Sequence, residues 1–311
     1  MTKAENRTLA AAGGVLVYAS VVGLVDNFVR AIAADAGLWQ FHATRSAMAL
    51  ALLGLGAVLV GLRLRPLRWR AVLGRSAIHA TSILVYFGAL GFLPVAQVAA
   101  GIFTAPIFVL LIQRLVYGQP IGGVQALAVA LGFAGAIIVL GPEAFAGASL
   151  AAALPIAAGA FYGMGNIATR AWCADETAGT LLAGFFAMLG VYGVLGMVVL
   201  VLVPVAGASG AEAFLVQGPV WPTEAFLWWT LMQAVGSLLG VGAMIRAYQL
   251  AEVARVSVFE YAFLPASAFW TWVIWGETLV WSAWIGMALI VLAGVLIARP
   301  GAGQSPTASR Q

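Results

Sequence analysis

Charged residues are scarce in this 311-residue chain: they make up 8% of it, compared with about 25% of an average soluble domain. Hydrophobic residues make up 63%, which excludes a fold whose whole surface faces water. The single cysteine, Cys173, excludes an internal disulfide and a cysteine-based metal cluster. We therefore expect neither a structural metal nor a cofactor.

Long apolar runs fill most of the chain. A helix needs about 20 mostly apolar residues to cross a bilayer, because its backbone groups must hydrogen-bond within the segment. Boundaries taken from Gly, Pro and charged clusters predict an all-α integral membrane protein with ten transmembrane helices. These helices cover residues 9–31, 38–62, 71–92, 94–115, 120–140, 148–171, 178–203, 224–248, 252–275 and 278–298. Only the connection at 204–224 is long enough to form a surface loop or lid.

The basic residues are distributed unequally between the two sides of this topology. Of the fifteen Lys and Arg residues, Arg30 and Arg45 fall on one side, and the others fall in the tails and connections of the opposite side. The positive-inside rule places both termini in the cytoplasm. We expect the protein to lie in the inner (plasma) membrane. The basic run at 63–70 is then an orientation signal and not a nucleic-acid site. The partners that we expect are membrane lipid and a small-molecule substrate.

An internal repeat is visible in the spacing of proline and glycine. Pro106 precedes Gly135 by 29 residues, and Pro265 precedes Gly294 by the same interval. In both cases the proline lies in one predicted helix and the glycine in the next, and a short turn joins the two helices. Proline removes a backbone donor and weakens a helix, so each proline is a candidate hinge, with a fixed kink as the alternative.

A second echo pairs Asn27 in DNFVR with Asn166 in GNIATR. Together the echoes predict two five-helix halves, residues 1–141 and 148–298, with a linker at 142–147 and a cytoplasmic tail at 299–311. Because five is odd, the two halves run through the membrane in opposite directions. Inverted repeats of this kind surround a central cavity in many transporters.

The first two predicted helices contain VDNFVRAI and LWQFHATRSAMAL, which resemble the drug/metabolite transporter (DMT) superfamily in its EamA-type branch. The resemblance rests on an Asn-Phe pair in the first helix, at 27–28, and on Arg45 early in the second helix. The stretch GRSAIHATSILVYFGALGFLPVAQVAA at 74–100 is most similar to YddG-type exporters of aromatic and other bulky amino acids. The resemblance implies ten helices around a central cavity, with the fifth and tenth at the periphery.

The repeat signature of that family resembles the run from Pro265 through Glu277, Gly286 and Gly294. The first half departs from it, because Gly118 and a glutamine stand where an acidic residue is usual. We therefore assign no function to Glu277.

Charged side chains inside the apolar runs are candidate gating or structural residues. Asp26 and Arg30 are four residues apart with the acid first, which is the favourable order for a helical pair, and Asn27 lies between them. Arg45 is expected at the same depth, so Asp26 can bridge to either arginine. We predict a structural latch at the outer mouth, with direct substrate contact or gating as the alternative.

Other polar side chains are candidates for substrate binding. His79 and Tyr86 are seven residues apart, which places them on one helix face. The full set is His79, Tyr86, Tyr162, Asn166, Gln233, Ser237, Glu260 and Tyr261. Hydrogen bonding between helices is the alternative role for each of them.

A transporter explains these features better than the other classes of membrane protein. The few carboxylates and histidines form no recognisable catalytic arrangement, so an enzyme is not expected. We predict an exporter of amino acids with aromatic or bulky apolar side chains and similar small metabolites, working by alternating access. A multidrug, nucleoside or other metabolite exporter of the same superfamily is one alternative, and a channel is another. The oligomeric state is open, with a monomer as one form.

Overall fold

A computed structural model describes residues 3–90, 93, 95–141, 153–205, 211–276 and 280–299. Within these ranges all regular secondary structure is helical. The helices are α1 (Lys3–Asp26), α2 (Val29–Asp35), α3 (Leu38–Val60), α4 (Trp69–Ala89), α5 (Val95–Ile102), α6 (Ala105–Leu115), α7 (Gly123–Leu140), α8 (Ala153–Ala171), α9 (Ala178–Leu202), α10 (Ala211–Val216), α11 (Glu224–Leu250), α12 (Val253–Phe259), α13 (Phe263–Trp275) and α14 (Trp281–Ala298).

Each of the ten segments predicted to cross the membrane is mainly helical where it is described. In that part of the chain, seven stretches are long and apolar enough to cross a bilayer: Asn6–Asp35, Leu38–Val60, Gln97–Leu115, Gly123–Leu140, Ala178–Leu202, Glu224–Leu250 and Trp281–Ala298. The remaining three predicted segments correspond to α4, α8 and the pair α12 and α13. The predicted linker at 142–147, Glu277 and nearly all of the tail lie outside the described residues.

Three of these segments are interrupted. The first breaks at Asn27 and Phe28, the fourth between α5 and α6, and the ninth at a 3₁₀ turn, Glu260–Ala262, between α12 and α13. Pro106 and Pro265 lie in the first turn of the helix that follows their break. A proline is well tolerated there because the first backbone N–H groups of a helix have no partner within the helix. The prolines therefore start helices instead of kinking their interiors.

Helix pairing follows one pattern in both halves of the chain. The most extensive pairs are α7 with α14, α1 with α11, α3 with α9 and α4 with α8. In addition, α5 and α6 pack on α8, as α12 and α13 pack on α1. The α7–α14 crossing is close because it is made by glycines: a Cβ added to Gly135 would lie 2.6 Å from the carbonyl oxygen of Gly286, and the reverse is also true.

The connections meet in two groups at opposite ends of the helices. We call one the basic end, because it contains the arginine-rich loop at 61–68, and it also holds the loops at 172–177 and 251–252. The other, the distal end, holds the turn at 36–37 and the segment from α10 to residue 223. That segment lies within the connection predicted as a loop or lid, and it packs on α3.

Candidate substrate site

A buried carboxyl group lies at the break between α12 and α13. Glu260 Oε1 accepts hydrogen bonds from the Tyr248 hydroxyl and, at 3.2 Å, from Asn166 Nδ2. Asn166 Nδ2 also lies 3.0 Å from the Tyr248 hydroxyl oxygen. All three side chains are at least nine-tenths buried. Helices α8 and α11 thus meet the broken ninth segment at a polar centre.

Two tyrosines and a histidine extend this centre. Tyr162 is within electrostatic range of Tyr18 on α1 and of Glu260. The His79 ring lies edge-on to the Tyr162 ring, with 5.5 Å between centroids. A Cβ at Gly165 would lie 2.6 Å from the His79 ring, so only glycine lets the imidazole approach α8 this closely. We call Tyr18, His79, Tyr162, Asn166, Tyr248 and Glu260 the central cluster.

A second polar group lies on α3, closer to the distal end. His42, Arg45 and Ser46 share one helix face, and all three are at least nine-tenths buried. Both ring nitrogens of His42, Arg45 Nε and Ser46 Oγ have no hydrogen-bond partner. The Arg45 guanidinium carbon lies 4.9, 5.8 and 5.9 Å from three ring centroids, those of Phe41, Phe87 and Phe186. Aromatic faces stabilise this cation without neutralising it.

Asp26 faces the same region from the end of α1. Its Oδ1 accepts a hydrogen bond of 3.0 Å from Gln233 Nε2, which also donates to the Val25 carbonyl oxygen at 2.8 Å. Asp26 is within electrostatic range of Arg45, but no ion pair within 4.0 Å joins these two described residues. The direct bridge to Arg45 that spacing allowed is therefore not formed. The side chain of Arg30 lies outside the described residues.

The remaining candidates have different surroundings. Tyr86 packs in the apolar cluster at the distal end and is within electrostatic range of Asp26. Asn27 accepts a hydrogen bond of 2.8 Å from Thr271 and donates one to the Gly23 carbonyl oxygen at 2.6 Å, so it fixes the break in the first segment.

Two further candidates lie on the second half of the chain, in different elements. Ser237 is buried one helical turn after Gln233 on α11. Tyr261 follows Glu260 in the chain but points elsewhere: its hydroxyl donates to the Phe103 carbonyl oxygen at 3.2 Å, and its ring packs on Gly132 of α7. The structure therefore brings His79, Tyr162, Asn166 and Glu260 together and leaves Tyr261 outside this group.

A set of hydrogen bonds closes the distal end of the helices. Gln40 Nε2 donates to the Val220 carbonyl oxygen and Val220 N–H donates to Gln40 Oε1, both at 2.8 Å. Trp39 Nε1 donates to the Leu215 carbonyl oxygen at 2.8 Å, and Thr223 donates to Asp35. We call these contacts the distal seal. They join the end of α2 and the first turn of α3 to α10 and the segment that precedes α11.

A similar set of contacts, the basic seal, closes the other end. Arg68 N–H donates to Glu176 Oε1 at 2.8 Å, and Thr177 Oγ1 donates to the Arg63 carbonyl oxygen at 2.7 Å. Gln249 Nε2 donates to the carbonyl oxygens of Cys173 and Glu176, at 2.9 and 2.8 Å. The loop before α4 is thereby joined to the loop before α9.

Sequence reasoning missed Tyr18, Tyr248 and His42. Tyr248 ends the predicted segment 224–248, and a tyrosine there is commonly an interfacial anchor. Tyr18 lies in the middle of the predicted segment 9–31, so its place as a polar group in an apolar run was a signal that could have found it. His42 could have been found from its spacing, because it precedes Arg45 and Ser46 by three and four residues. The hydroxyl, amide and aromatic groups gathered here suit reversible binding of a small amphipathic molecule.

Comparisons with known proteins agree with a transporter. Residues 9–141 match the model of the EamA-like transporter family, which confirms the resemblance over the first half of the chain. A riboflavin transporter of Rhizobium johnstonii is 28% identical over 231 residues, covering 74% of this chain and 70% of that protein. A pseudopaline exporter of Pseudomonas aeruginosa is 25% identical over 234 residues, covering 75% and 76%.

A solved structure titled "Crystal structure of protein" has the same fold. It matches with a TM-score of 0.75 and 16% identity, covering 94% of this chain and 98% of that chain.

Proposed function

We propose that this protein is an inner-membrane carrier that exports amino acids with aromatic or bulky apolar side chains and related small metabolites by alternating access. The observation that carries the proposal is a buried polar centre between two separate seals. Such a centre is costly inside a membrane unless it is used, so intramembrane polar groups commonly mark a substrate pathway. A carrier needs both seals, because only one may be open at a time.

The architecture we propose is ten transmembrane helices arranged as two inverted five-helix repeats. Helix pairing supports it. The first segments of the two halves are α1 and α8, and the third segments are α4 and α11. Exchanging the halves therefore turns the α1–α11 pair into the α8–α4 pair. The same exchange maps α3–α9 and α7–α14 onto themselves. It also relates the distal seal, which lies where the chain enters α3 and α11, to the basic seal, which lies where the chain enters α9 and α4.

We place the basic end and both termini in the cytoplasm. The loop at 61–68 carries Arg63, Arg65 and Arg68, and short basic loops remain on the cytoplasmic side of bacterial and eukaryotic membranes. The distal seal then faces the outside.

We propose that the central cluster lines the transport pathway and contacts polar groups of the cargo as it passes. Neutral hydroxyl and amide groups can bind a metabolite without imposing a net charge on it. The ring of Phe263 lies 6.1 Å from that of Tyr18 and 6.3 Å from that of Phe103, centroid to centroid, and these rings offer surfaces for an aromatic or bulky apolar part.

A flavin or another flat aromatic metabolite is the second candidate cargo. The names of the relatives favour it, since they include a riboflavin transporter. Stacked rings at Phe28 and Trp229, 4.2 Å apart and almost parallel, provide a platform of the kind that a flat ring system can use.

Transport by the purified protein in liposomes tests the proposal. We expect the initial rate of L-phenylalanine or riboflavin entry to saturate with concentration, because each cycle occupies a binding site. Asn166→Ala should lower the rate, whereas Gly54→Ala, at a position where an added Cβ meets nothing within 4 Å, should leave it unchanged. A flux that rises linearly without saturation would indicate a channel and overturn the proposal.

A further inference from the structure

We infer that Asp26 and Arg45 together form a zwitterion-binding subsite, in which Asp26 binds the ammonium group and Arg45 the carboxylate of a free amino acid. This inference rests on the proposed function, because it assigns a substrate class to the same transport pathway. It begins from two opposite charges that are within electrostatic range of each other but form no direct ion pair.

The two charges share one depth and one interior region. Asp26 lies nine residues before the end of α2 and Arg45 lies seven residues after the start of α3, which corresponds to nearly the same distance from the distal end. Asp26 accepts a hydrogen bond from Gln233 on α11 and is within electrostatic range of Arg45 and Tyr86, so it faces other helices and not lipid.

Arg45 retains the capacity to bind an anion. Its Nε has no hydrogen-bond partner, and its immediate neighbours are the rings of Phe41, Phe87 and Phe186. An unpaired buried cation is expensive, which implies that the energy is recovered when a carboxylate arrives. A carboxylate has about four acceptor positions, and a guanidinium can bind two of them side by side.

The neighbours of Arg45 supply further donors. Ser46 Oγ and the nitrogens of His42 are also buried without partners, one helical turn or less from Arg45. A hydroxyl and an imidazole N–H can both donate to a carboxylate oxygen. One anionic group would therefore satisfy several buried atoms at once, which accounts for polar atoms that are otherwise left unsatisfied.

Asp26 is suited to the ammonium group. It is half-buried, and one described donor, Gln233 Nε2, occupies its Oδ1 at 3.0 Å. An ammonium group has three donors and no acceptor, so a carboxylate is its natural partner. Because a zwitterion carries its two charges on one carbon atom, it can bridge Asp26 and Arg45 where the two side chains do not touch.

The aromatic rings around Arg45 give the subsite an apolar wall. They would contact the first part of the amino-acid side chain, and the distal seal at Trp39 and Gln40 lies about one and a half turns before Arg45 on α3. The subsite would thus open to the outside when that seal opens.

Binding of three matched probes to the purified full-length protein tests the inference. L-Phenylalanine carries both charges, 3-phenylpropionate lacks the ammonium group, and 2-phenylethylamine lacks the carboxylate. A hydrogen bond to a charged group contributes about 1.5–3 kcal/mol, so we expect wild-type protein to prefer L-phenylalanine at least about tenfold over each partial probe.

Two substitutions should have separate effects on these preferences. Asp26→Asn should abolish the preference over 3-phenylpropionate and keep that over 2-phenylethylamine, and Arg45→Gln should do the opposite. Arg75→Gln is the matched control, since Arg75 is equally buried but donates to Thr169 at 2.9 Å, and it should keep both preferences. If Arg45→Gln does not fold, Arg45→Lys and Ser46→Ala should each reduce the preference over 2-phenylethylamine.

Two outcomes would overturn the inference: a wild-type protein that binds all three probes equally, or variants that leave both preferences unchanged. Transport in liposomes separates this failure from failure of the proposed function. Saturable transport of riboflavin or 3-phenylpropionate without a zwitterion preference would leave the carrier intact and remove only the subsite.

Discussion

Gln40→Ala perturbs the distal seal at a defined point. The substitution removes two hydrogen bonds of 2.8 Å between the Gln40 side chain and the Val220 backbone. Gln40 is 7% exposed, so water does not readily replace them in the closed seal. Each bond contributes about 0.5–1.5 kcal/mol, so the closed distal end loses about 1–3 kcal/mol. In an alternating-access carrier this shifts the population toward the distal-open state by about 5- to 150-fold.

The single cysteine, Cys173, allows opening of the basic end to be measured. Cys173 lies in the basic seal, where its side chain is buried and its carbonyl oxygen accepts from Gln249. Burial raises the pKa of the Cys173 thiol to about 11. Because the thiolate is the reactive form, a maleimide reacts slowly while the basic end is closed and faster once it opens. The rate of labelling at fixed pH therefore measures basic-end opening.

The two ends should respond in opposite directions. Gln40→Ala should slow Cys173 labelling, because opening the distal end favours closure of the basic end. Gln249→Ala removes bonds to Cys173 and Glu176 and should speed it. Gln119→Ala is the control, since Gln119 is exposed, and it should change nothing. An unchanged rate in Gln40→Ala, or a change of the same sign in both seal variants, would refute the coupling of the two seals.

Three further predictions concern packing and motion. Tyr248→Phe should lower the free energy of unfolding in detergent by about 1.5–3 kcal/mol, because it removes a hydrogen bond to a buried carboxyl group, and an unchanged melting transition would contradict this. Gly135→Ala should lower the free energy of unfolding by about 1–3 kcal/mol, because the added methyl group overpacks the α7–α14 crossing. Gly54→Ala is the control, and it should leave the free energy of unfolding unchanged. Pro106→Ala and Pro265→Ala should each slow transport without weakening L-phenylalanine binding, and normal rates in both variants and their double variant would end the hinge hypothesis.

Much of the helical layout could be predicted from sequence because apolar runs and their breaks are local signals. The helix Leu38–Val60 was predicted at 38–62, and Ala178–Leu202 at 178–203. Breaks in the fourth and ninth segments were indicated by Pro106 and Pro265. The break at Asn27 had no proline to mark it and depends on hydrogen bonds to Gly23 and to the distant Thr271.

The candidate site was only partly predictable. Asn166 and Glu260 stood out as polar residues in apolar runs, and the structure brings them together. Tyr261 was chosen with Glu260 because they are adjacent, but neighbouring residues on a helix point about 100° apart, so the two side chains diverge. The seal between Gln40 and Val220 joins residues 180 positions apart, and no local pattern reveals such a contact.

Counterflow in proteoliposomes tests the central claim, that this protein is an alternating-access carrier, most directly. Vesicles containing purified protein are loaded with a high concentration of unlabelled L-phenylalanine or riboflavin, and then diluted into a trace of the same labelled compound. A carrier exchanges the two across the membrane, so we predict that labelled compound accumulates transiently above its external concentration and then declines. Labelled compound that only equilibrates, at a rate independent of the internal load, would contradict the account.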